Sequence, residues 1–276
     1  MDNKTKTIVK QLIPPLFVDI FREFTKSDKK PQYGWFGNYS SWEEAAQVCE
    51  GYDSDVILEK VKSSLLKVKN SEAVYERDSV LFDRIEYSWP LLAIFLRIGI
   101  EQKSKLHLID FGGSLGSTYY QNKEFLSVID DLKWNIVEQK HFVDTGRELF
   151  ENDQLKFYYS IKGCLDIHPC SVLLLSSVLQ YLENPESFIK EILLFNFEYI
   201  IFDRTSFIKS VQHRLTIQNV PPEIYSASYP CWFFNESKLM ESFRKKYDIQ
   251  YSFNALDVSN LQGTYFKGFV LKIKTC

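Results

Sequence analysis

The stretch LHLIDFGGSLGSTYY, residues 106–120, decides the fold. An apolar run of strand type ends at Asp110, three glycines follow within a few residues, and small polar residues then open a helical segment. A strand, a glycine turn and a helix N-terminus leave backbone N–H groups free and let a ligand approach the backbone closely. In an open α/β sheet such a turn lies at the carboxyl edge, where ligands bind.

The acid before the turn indicates the charge of the ligand. Asp110 stands two residues before Gly112, so its carboxylate would repel a pyrophosphate and attract the ammonium and sulfonium of S-adenosylmethionine. The turn also lacks the Lys-Ser/Thr ending of a P-loop. Glu138 lies about 20 residues past Gly116, the spacing at which an acid binds the ribose hydroxyls of either NAD or S-adenosylmethionine. The alternative for Glu138 is a surface position at a strand end.

Short strand-type runs alternate with helical segments after residue 105. The strand-type runs are 106–111, 134–139, 155–160, 171–177 and 198–203, and the helical segments between them are 120–131, 142–151 and 184–195. This alternation predicts a parallel sheet covered on both faces. Two further runs, 247–253 and 265–274, follow each other without a helix and predict a closing antiparallel hairpin. A Rossmann-like α/β fold with a mostly parallel seven-stranded sheet is therefore expected over residues 101–276.

The first hundred residues predict a helical region packed on this core. Ser41-Trp42-Glu43-Glu44 has the pattern of a capping box and opens a helix through about Cys49. Residues 54–69 and 78–98 continue with helical spacing, and residues 8–24 have the pattern of a short amphipathic helix. Three aromatic residues in this region either cover the ligand cleft or staple the segment to the sheet: Trp35, Tyr39 and Trp42.

Composition limits the classes of partner. The net charge of −3 gives no general attraction to nucleic acid. The five cysteines are scattered and form no CxxC pair, and the four histidines lack ligand spacing, so a reducing compartment and no metal site are expected. The apolar stretch 89–100 is too short to span a bilayer, and the N-terminus does not resemble a signal peptide. These patterns predict a cytoplasmic protein.

The residues of the glycine turn resemble motif I of class I S-adenosylmethionine-dependent methyltransferases. Asp110, Gly112, Gly113 and Gly116 match that motif, whereas Ser114 stands where the middle glycine is usual. The stretch SSVLQYLENP, 176–185, is similar to the fourth-strand region of these enzymes. This resemblance implies that Ser176 and Ser177 line the cofactor and that Gln180 and Tyr181 contact the acceptor.

A narrower resemblance covers nearly the whole chain. The segments GWFGNYSSWEEAA, YERDSVLFD, DFGGSLGS, SSVLQYL, FDRTSF and RLTIQNVPPEIYSASYPCW together resemble a methyltransferase family. Members of that family are commonly encoded among bacterial surface-polysaccharide biosynthesis genes. The resemblance implies S-adenosylmethionine as cofactor and a small-molecule or sugar acceptor, such as an intermediate of polysaccharide biosynthesis.

The segment 214–232 reads as a long loop rich in Pro and Tyr, the kind that contacts substrate at the carboxyl edge of a sheet. Tyr225, Tyr229 and Trp232 would give a face on which a sugar stacks, unless this loop only packs on the core. Arg204 and Arg214 would hold an anionic group of the acceptor. The alternative is that they pair with Asp203 and Glu223, the two acids close to them in sequence.

A hydroxyl acceptor must lose its proton, and two residues are candidates for the base, Asp203 and His213. The alternative for His213 is a surface or packed position. Two rival functions differ in class. A non-catalytic methyltransferase-like scaffold would bind the cofactor without turnover, and an NAD-dependent oxidoreductase would not place Asp110 before the turn. The sequence predicts no oligomeric state.

Overall fold

The computed structural model describes residues 33–50, 54–222 and 224–275. The strands of this part of the chain are β1 (Gly34–Tyr39), β2 (Tyr75–Arg77), β3 (Val80–Phe82), β4 (Lys105–Phe111), β5 (Asp131–Val137), β6 (Leu155–Tyr158), β7 (Val172–Ser176), β8 (Tyr199–Ile208), β9 (Arg214–Val220), β10 (Ala227–Phe233), β11 (Tyr247–Asn254) and β12 (Thr264–Ile273). The helices are α1 (Trp42–Gln47), α2 (Ser54–Lys69), α3 (Trp89–Glu101), α4 (Ser117–Leu126), α5 (Lys140–Leu149), α6 (Ile161–Leu165), α7 (Pro185–Ile192) and α8 (Glu236–Glu241). A short 3₁₀-helix spans Leu179–Tyr181.

The central sheet has seven strands in the order β11-β12-β8-β7-β4-β5-β6. Strands β4 to β8 run parallel, β12 pairs antiparallel with β8, and β11 pairs antiparallel with β12. The predicted seven-stranded sheet with a closing hairpin is confirmed. The chain leaves β4 toward β5 on one side and later returns to β7 on the other. The carboxyl end of β4 is therefore the switch point of the sheet, and the glycine turn follows it directly.

Alternate residues of the parallel strands supply the two faces of the core. Leu108 and Trp134 belong to one buried cluster, whereas Ile109 and Leu173 belong to the other. Both faces are apolar because helices cover both. Phe95 of α3 lies in the first cluster, so the helices before the sheet share its core.

The region before the sheet contains strands as well as helices. The predicted helix start is confirmed, because Ser41 Oγ accepts the N–H of Glu44 at 3.2 Å, while the Glu44 carboxylate accepts the N–H of Ser40 at 2.9 Å. The helix predicted over 78–98 is wrong in its first half, where β2 and β3 form a hairpin and α3 begins only at Trp89. Asp78 and Ser79 both have positive φ, the geometry of a tight hairpin turn. The helix predicted over 8–24 lies outside the described residues.

The segment 214–232 is not the long loop that its composition predicts. Strands β9 and β10 form a hairpin, and β1 pairs with β9 to complete a three-stranded antiparallel sheet. The prolines do not prevent this arrangement. Pro221 and Pro222 lie in the connection between the strands, and Pro230 lies on β10, an edge strand of the sheet, where a missing N–H is tolerated.

Candidate functional site

A cavity of about 1160 Å³ opens at the carboxyl edge of the central sheet. Its inner part, here called the sheet-edge wall, consists of residues 110–114, 138, 176–178 and 203. Its outer part, the outer wall, consists of residues 75–79, 181, 218–221, 224–225, 228–229 and 254–260. Pockets for one small ligand usually measure about 300–1,000 Å³, so this cavity has room for two reactants side by side.

The glycine turn gives the sheet-edge wall its shape. Gly112 has φ +72°, and a Cβ there would lie 2.5 Å from Cγ2 of Val178. A Cβ on Gly113 would lie 2.6 Å from Oδ2 of Asp110. Gly116 has φ +106° and is the residue before α4. The turn therefore places bare backbone against the cavity, at the N-terminal end of a helix.

Ser114 keeps the shape of the turn although it replaces the usual glycine. Its φ is +53°, in the left-handed region that glycine adopts most easily. A serine in this region carries backbone strain, and strained residues of this kind cluster at functional sites. The departure from the motif thus changes the side chain while the backbone path is retained.

Asp110 lies beneath the turn and is almost completely buried at 1% exposure. Its Oδ2 accepts the indole N–H of Trp134 at 3.0 Å. Burial raises the pKa of Asp110 to about 7, and the hydrogen bond from Trp134 opposes that rise. A cation bound above this carboxyl would favour its ionised form.

Glu138 follows β5 and faces the same turn. Its Oε2 accepts the backbone N–H of Gln139 at 2.6 Å. Burial raises the pKa of Glu138, while backbone N–H groups of Gln139 and Ser114 stabilise its charged form. The carboxylate lines the cavity, as expected for a residue that binds ribose hydroxyls.

Asp203 ends the parallel pairing of β7 and β8, where it lies opposite Ser176. Ser176 Oγ donates to Oδ2 of Asp203 at 2.8 Å, whereas Oδ1 is buried and has no hydrogen-bond partner among the described residues. Burial raises the pKa of Asp203 to about 6. A buried acceptor atom without a partner is costly, so a ligand atom in the cavity would complete its hydrogen bonding.

Arg204 is bound to acids of the outer wall. Its Nε lies 3.1 Å from both carboxylate oxygens of Asp257, and its Nη2 lies 3.0 Å from Oδ2 of Asp78. The guanidinium therefore belongs to an ion-pair network. Asp203, its neighbour in sequence, is not among these hydrogen-bond partners, and Glu223 lies outside the described residues.

Five predicted site residues do not line the cavity. One is Gly116, where an added Cβ would lie 3.3 Å from the buried Leu155. The other four have larger side chains that bind elsewhere in the protein. His213 Nδ1 accepts the N–H of Asn235 at 2.8 Å, and burial lowers the pKa of this imidazole. Arg214 donates to the carbonyl of Gly37 on β1, and Trp232 donates to that of Leu182. Gln180 is fully buried beneath the cavity floor, where its Nε2 donates to the carbonyl of Arg204 at 3.0 Å. Each of these four side chains donates or accepts a hydrogen bond within the protein, although Gln180 Oε1 is buried without a partner among the described residues.

The three predicted tyrosines do lie together in the cavity lining. Tyr181 donates to Oε1 of Gln218 at 2.8 Å, and its ring meets that of Tyr229 edge to face at 5.3 Å. The hydroxyls of Tyr225 and Tyr229 are 3.4 Å apart. Burial raises the pKa of Tyr225 to about 12, so this group is a neutral hydrogen-bonding partner at pH 7.

Three acids of the outer wall were not assigned by the sequence analysis. Glu76 and Asp78 arrive on the β2–β3 hairpin, and Asp257 lies between β11 and β12. Glu76 is 1% exposed and accepts hydrogen bonds from Ser117 Oγ and the N–H of Ser79. Burial raises its pKa to about 7. The only sequence signal was the segment YERDSVLFD, which contains the first two acids.

Trp35 and Trp42 belong to the cavity lining and also pack on other parts of the protein. The Trp35 ring contacts Phe233 and Phe266 at centroid distances of 5.9 and 5.7 Å. Trp42 and Tyr39 pack against a small buried cluster around the β9 strand. Trp35 thus joins β1 to β10 and to β12 of the central sheet, and both Trp35 and Trp42 also line the cavity.

The charged groups that line the cavity are mostly acids. The carboxyl groups are those of Glu76, Asp78, Glu86, Asp110, Glu138, Asp203 and Asp257, and the guanidinium groups are those of Arg77 and Arg204. Both arginines are paired, Arg77 with Glu86 at 3.9 Å and Arg204 as described above. An acidic cavity attracts a cationic ligand and repels a pyrophosphate.

Two features are absent from the residues that the structure describes. No group of three or more His, Cys, Asp or Glu side chains is arranged to hold a metal ion. No described helix is long and apolar enough to cross a membrane.

Comparisons with known proteins give no family at the level of sequence. No protein-family model and no curated protein matches this chain. Among solved structures, the chain is similar to the 1,6-didemethyltoxoflavin-N1-methyltransferase of Burkholderia thailandensis, with bound 1,6-didemethyltoxoflavin and S-adenosylhomocysteine. The identity is 11%, the match covers 90% of this chain and 99% of that one, and the TM-score is 0.45.

Two further solved structures are similar. One is an S-adenosylmethionine-dependent methyltransferase from Clostridium acetobutylicum, at 10% identity over 69% of this chain and 94% of that one, with a TM-score of 0.44. The other is the N-terminal domain of EvdMO1 in the presence of S-adenosylhomocysteine and D-fucose, at 8% identity over 81% and 98%, with a TM-score of 0.46. Identities and TM-scores this low assign no activity to this chain.

Proposed function

We propose that this protein is an S-adenosylmethionine-dependent methyltransferase that acts on a small molecule, a sugar or an intermediate of polysaccharide biosynthesis. One observation carries the proposal. A glycine turn with the buried Asp110 beneath it and Glu138 beside it lies at the switch point of the sheet, inside an acidic cavity. This arrangement suits an adenosine that carries positive charge.

The residues of the sheet-edge wall fit the cofactor. The bare backbone of Gly112 and Gly113 would accept its close approach, and Asp110 would attract its ammonium. Glu138 would accept hydrogen bonds from the ribose hydroxyls. Ser176 and Ser177, at the end of β7, would line the same pocket. When bound, the cofactor supplies an electrophilic methyl group on a sulfonium.

Asp203 is the proposed base. In transfer to a hydroxyl, the acceptor oxygen bonds to the methyl carbon as the carbon–sulfur bond breaks and its electrons go to sulfur. The hydroxyl proton would pass to Oδ1 of Asp203, the oxygen without a partner. With a pKa of about 6, this carboxyl is mostly ionised at pH 7 and able to accept the proton. His213 is not part of this proposal, because it lies away from the cavity.

The outer wall favours an acceptor without negative charge. Arg204, predicted to hold an anionic group, is already bound to Asp257 and Asp78. Arg214 does not line the cavity. The cluster of Tyr181, Tyr225 and Tyr229 offers aromatic faces and neutral hydroxyls, which suit a polyhydroxylated ring. The acceptor is therefore proposed to be neutral at the end that enters the cavity.

The test begins with calorimetric titration of the purified protein with S-adenosylhomocysteine, with NAD as the control. Binding of S-adenosylhomocysteine with a Kd on the order of micromolar, and no binding of NAD, would support the cofactor assignment. Binding of NAD alone would overturn it in favour of the oxidoreductase. Absence of binding for both ligands would contradict the cofactor site.

The second step separates an enzyme from a scaffold. Methyl transfer is followed by mass spectrometry on a panel of neutral sugars and the matching sugar phosphates. Turnover of a neutral member, reduced about 10²–10⁴-fold by Asp203→Asn with S-adenosylhomocysteine binding retained, would support the proposed base. Cofactor binding without turnover of any member would favour the methyltransferase-like scaffold.

A further inference from the structure

Strand β8 contains a bulge where it meets the cavity. Thr205 pairs with Lys267 and Phe202 pairs with Phe269, so two residues of β8, Asp203 and Arg204, oppose one residue of β12. Arg204 has φ +49°, in the left-handed region. Successive side chains of a regular strand point to opposite faces, but a bulge redirects them. Both Asp203 and Arg204 line the cavity as a result.

The Arg204 side chain joins segments that are far apart in sequence. Asp257 is 53 residues away and Asp78 is 126 residues away, and both accept hydrogen bonds from the same guanidinium. We call Asp78, Arg204 and Asp257 the clasp. The side chain of Arg204 is 20% exposed and that of Asp257 is 12% exposed. The pair of Arg204 and Asp257 is therefore screened less by salt than a surface pair, whereas the side chain of Asp78 is 50% exposed.

Each acid of the clasp belongs to a segment of the outer wall that has a second attachment. Asp78 lies in the β2–β3 turn, where the neighbouring Glu76 is hydrogen-bonded to Ser117 of α4. Asp257 lies in the segment 254–260, whose Asn260 accepts the N–H of Trp35 at 2.8 Å and donates to its carbonyl at 2.9 Å. The clasp is thus the point where both segments are tied to the strand that carries Asp203.

We propose that Arg204 is a positioning residue: through the clasp it holds the outer wall over the cavity and keeps the neighbouring Asp203 at the bulge, facing the reacting groups. The role of Asp203 as a base rests on the function proposed above, but the clasp itself does not. The arginine is not itself the acceptor-binding group, because its hydrogen bonds are directed at two carboxylates of the same chain.

The charged groups around Asp203 affect its pKa, and a change in that pKa can be measured to test the proposal. The charged groups that act on Asp203 are Arg204 on its own strand, Asp257 across the clasp and Asp110 on β4, whereas Asp78 acts on Arg204. Burial raises the pKa of Asp203, the positive charge of Arg204 lowers it, and the negative charge of Asp257 raises it. Loss of the arginine charge and loss of the Asp257 charge should therefore shift this pKa in opposite directions.

The experiment compares Arg204→Gln, Asp257→Asn and Arg204→Lys in the full chain. Hydrogen–deuterium exchange follows the backbone of residues 76–82 and 254–260, and carbon NMR of labelled aspartate carboxyls, assigned with Asp203→Asn, follows the titration of Asp203.

Arg204→Gln should speed exchange in both segments about tenfold and raise the pKa of Asp203. Asp257→Asn should speed exchange in 254–260 and lower that pKa. Arg204→Lys keeps the positive charge but loses the planar guanidinium that binds two carboxylates at once. It should therefore speed exchange and shift the pKa of Asp203 less than Arg204→Gln does.

Arg244→Gln is the matched control, because Arg244 is an exposed arginine whose ion pair with Glu241, at 2.8 Å, involves neither of the two segments. It should change neither exchange in the two segments nor the titration of Asp203. Unchanged exchange in Arg204→Gln, or a shift of the Asp203 pKa in the same direction in Arg204→Gln and Asp257→Asn, would overturn the positioning role. If Arg204→Gln does not fold, Asp257→Asn and Arg204→Lys decide the result. S-adenosylhomocysteine titration of the unsubstituted protein tests the proposed function separately.

Discussion

The two walls of the cavity differ in the atoms that they present to a ligand. The sheet-edge wall presents backbone at Gly112 and Gly113, and it has buried carboxyls at fixed positions below the turn. The outer wall presents side chains, chiefly tyrosine rings and the ion pairs of Arg204. A side chain added to bare backbone fills space that the ligand needs. An existing side chain can instead lose one atom or one charge at a time. Substitutions of the two glycines are therefore expected to act all or none, and substitutions of side chains in either wall by degrees.

The largest effect is expected from Gly112→Val. The new side chain would meet Val178, and φ +72° disfavours any residue but glycine. Binding of S-adenosylhomocysteine should be lost in calorimetry. The control is Gly263→Val, because Gly263 has a similar φ of +77° but its nearest neighbour, Cβ of Lys209, is 4.0 Å from the position of a Cβ. Equal loss of binding in both variants would mean that strain in the backbone, rather than the sheet-edge wall, explains the effect.

A smaller effect is expected from Glu138→Gln, which removes the charge that would accept hydrogen bonds from the ribose. Hydrogen bonds to charged groups contribute about 1.5–3 kcal/mol, so affinity for S-adenosylhomocysteine should fall by about 10–100-fold. Glu148→Gln, an exposed residue of α5, serves as the control and should leave affinity unchanged. Affinity retained in Glu138→Gln would remove this residue from the cofactor site.

The pH dependence of binding distinguishes Asp110 from the other acids. Its pKa of about 7 means that the carboxyl is protonated below this pH and ionised above it. Because the ionised form attracts the ligand ammonium, affinity for S-adenosylhomocysteine should fall as the pH drops from 8 to 6, by about tenfold. Trp134→Phe removes the hydrogen bond that lowers this pKa, so the loss of affinity should begin at higher pH.

Asp203 and Glu76 titrate in the same range, with pKa values of about 6 and 7. Ser176→Ala is the control for Asp203, since it removes the hydrogen bond to that carboxyl and leaves Asp110 in place. A pH profile that moves in Ser176→Ala but not in Trp134→Phe would assign the titration to Asp203 instead.

The smallest effect is expected in the outer wall. Tyr181→Phe removes one hydrogen bond to Gln218 and should lower the free energy of unfolding by about 1 kcal/mol, measured in urea. Affinity for S-adenosylhomocysteine should stay the same. Tyr225→Phe should cost less, because its hydroxyl is 3.4 Å from that of Tyr229. Loss of cofactor affinity in either variant would mean that the two walls are not separate.

The sheet-edge wall was predictable from sequence because its residues follow strands in a fixed pattern. The strand that ends at Asp110, the turn after it and the acid after the next strand all depend on local spacing. The parallel strands followed from the alternation of strand and helix, whereas their order across the sheet was visible only in the structure. The sequence also placed Ser114 at the middle glycine of the motif, although the positive φ of this serine was visible only in the structure.

The outer wall was not predictable because its parts meet only in the folded chain. The β2–β3 turn has positive φ at Asp78 and Ser79, neither of which is the glycine that usually signals such a turn. Strands β9 and β10 read as a loop because of their prolines and tyrosines, and the third strand of their sheet, β1, lies far away in sequence. For the same reason the sequence analysis left open whether Arg204 binds an anionic ligand or pairs with acids of the chain, and its partners Asp78 and Asp257 were visible only in the structure.

The contact of β1 with the segment 254–260 has a consequence for how the protein is made. The hydrogen bonds between Trp35 and Asn260 join residues 225 positions apart. During synthesis, the parallel strands from β4 to β8 leave the ribosome well before Asn260 does, and chains generally fold as they emerge. Contacts of such long separation form slowly, because the intervening chain must first be ordered. We expect the nascent chain to complete the glycine turn first and to enclose the cavity only after its last strands have been made.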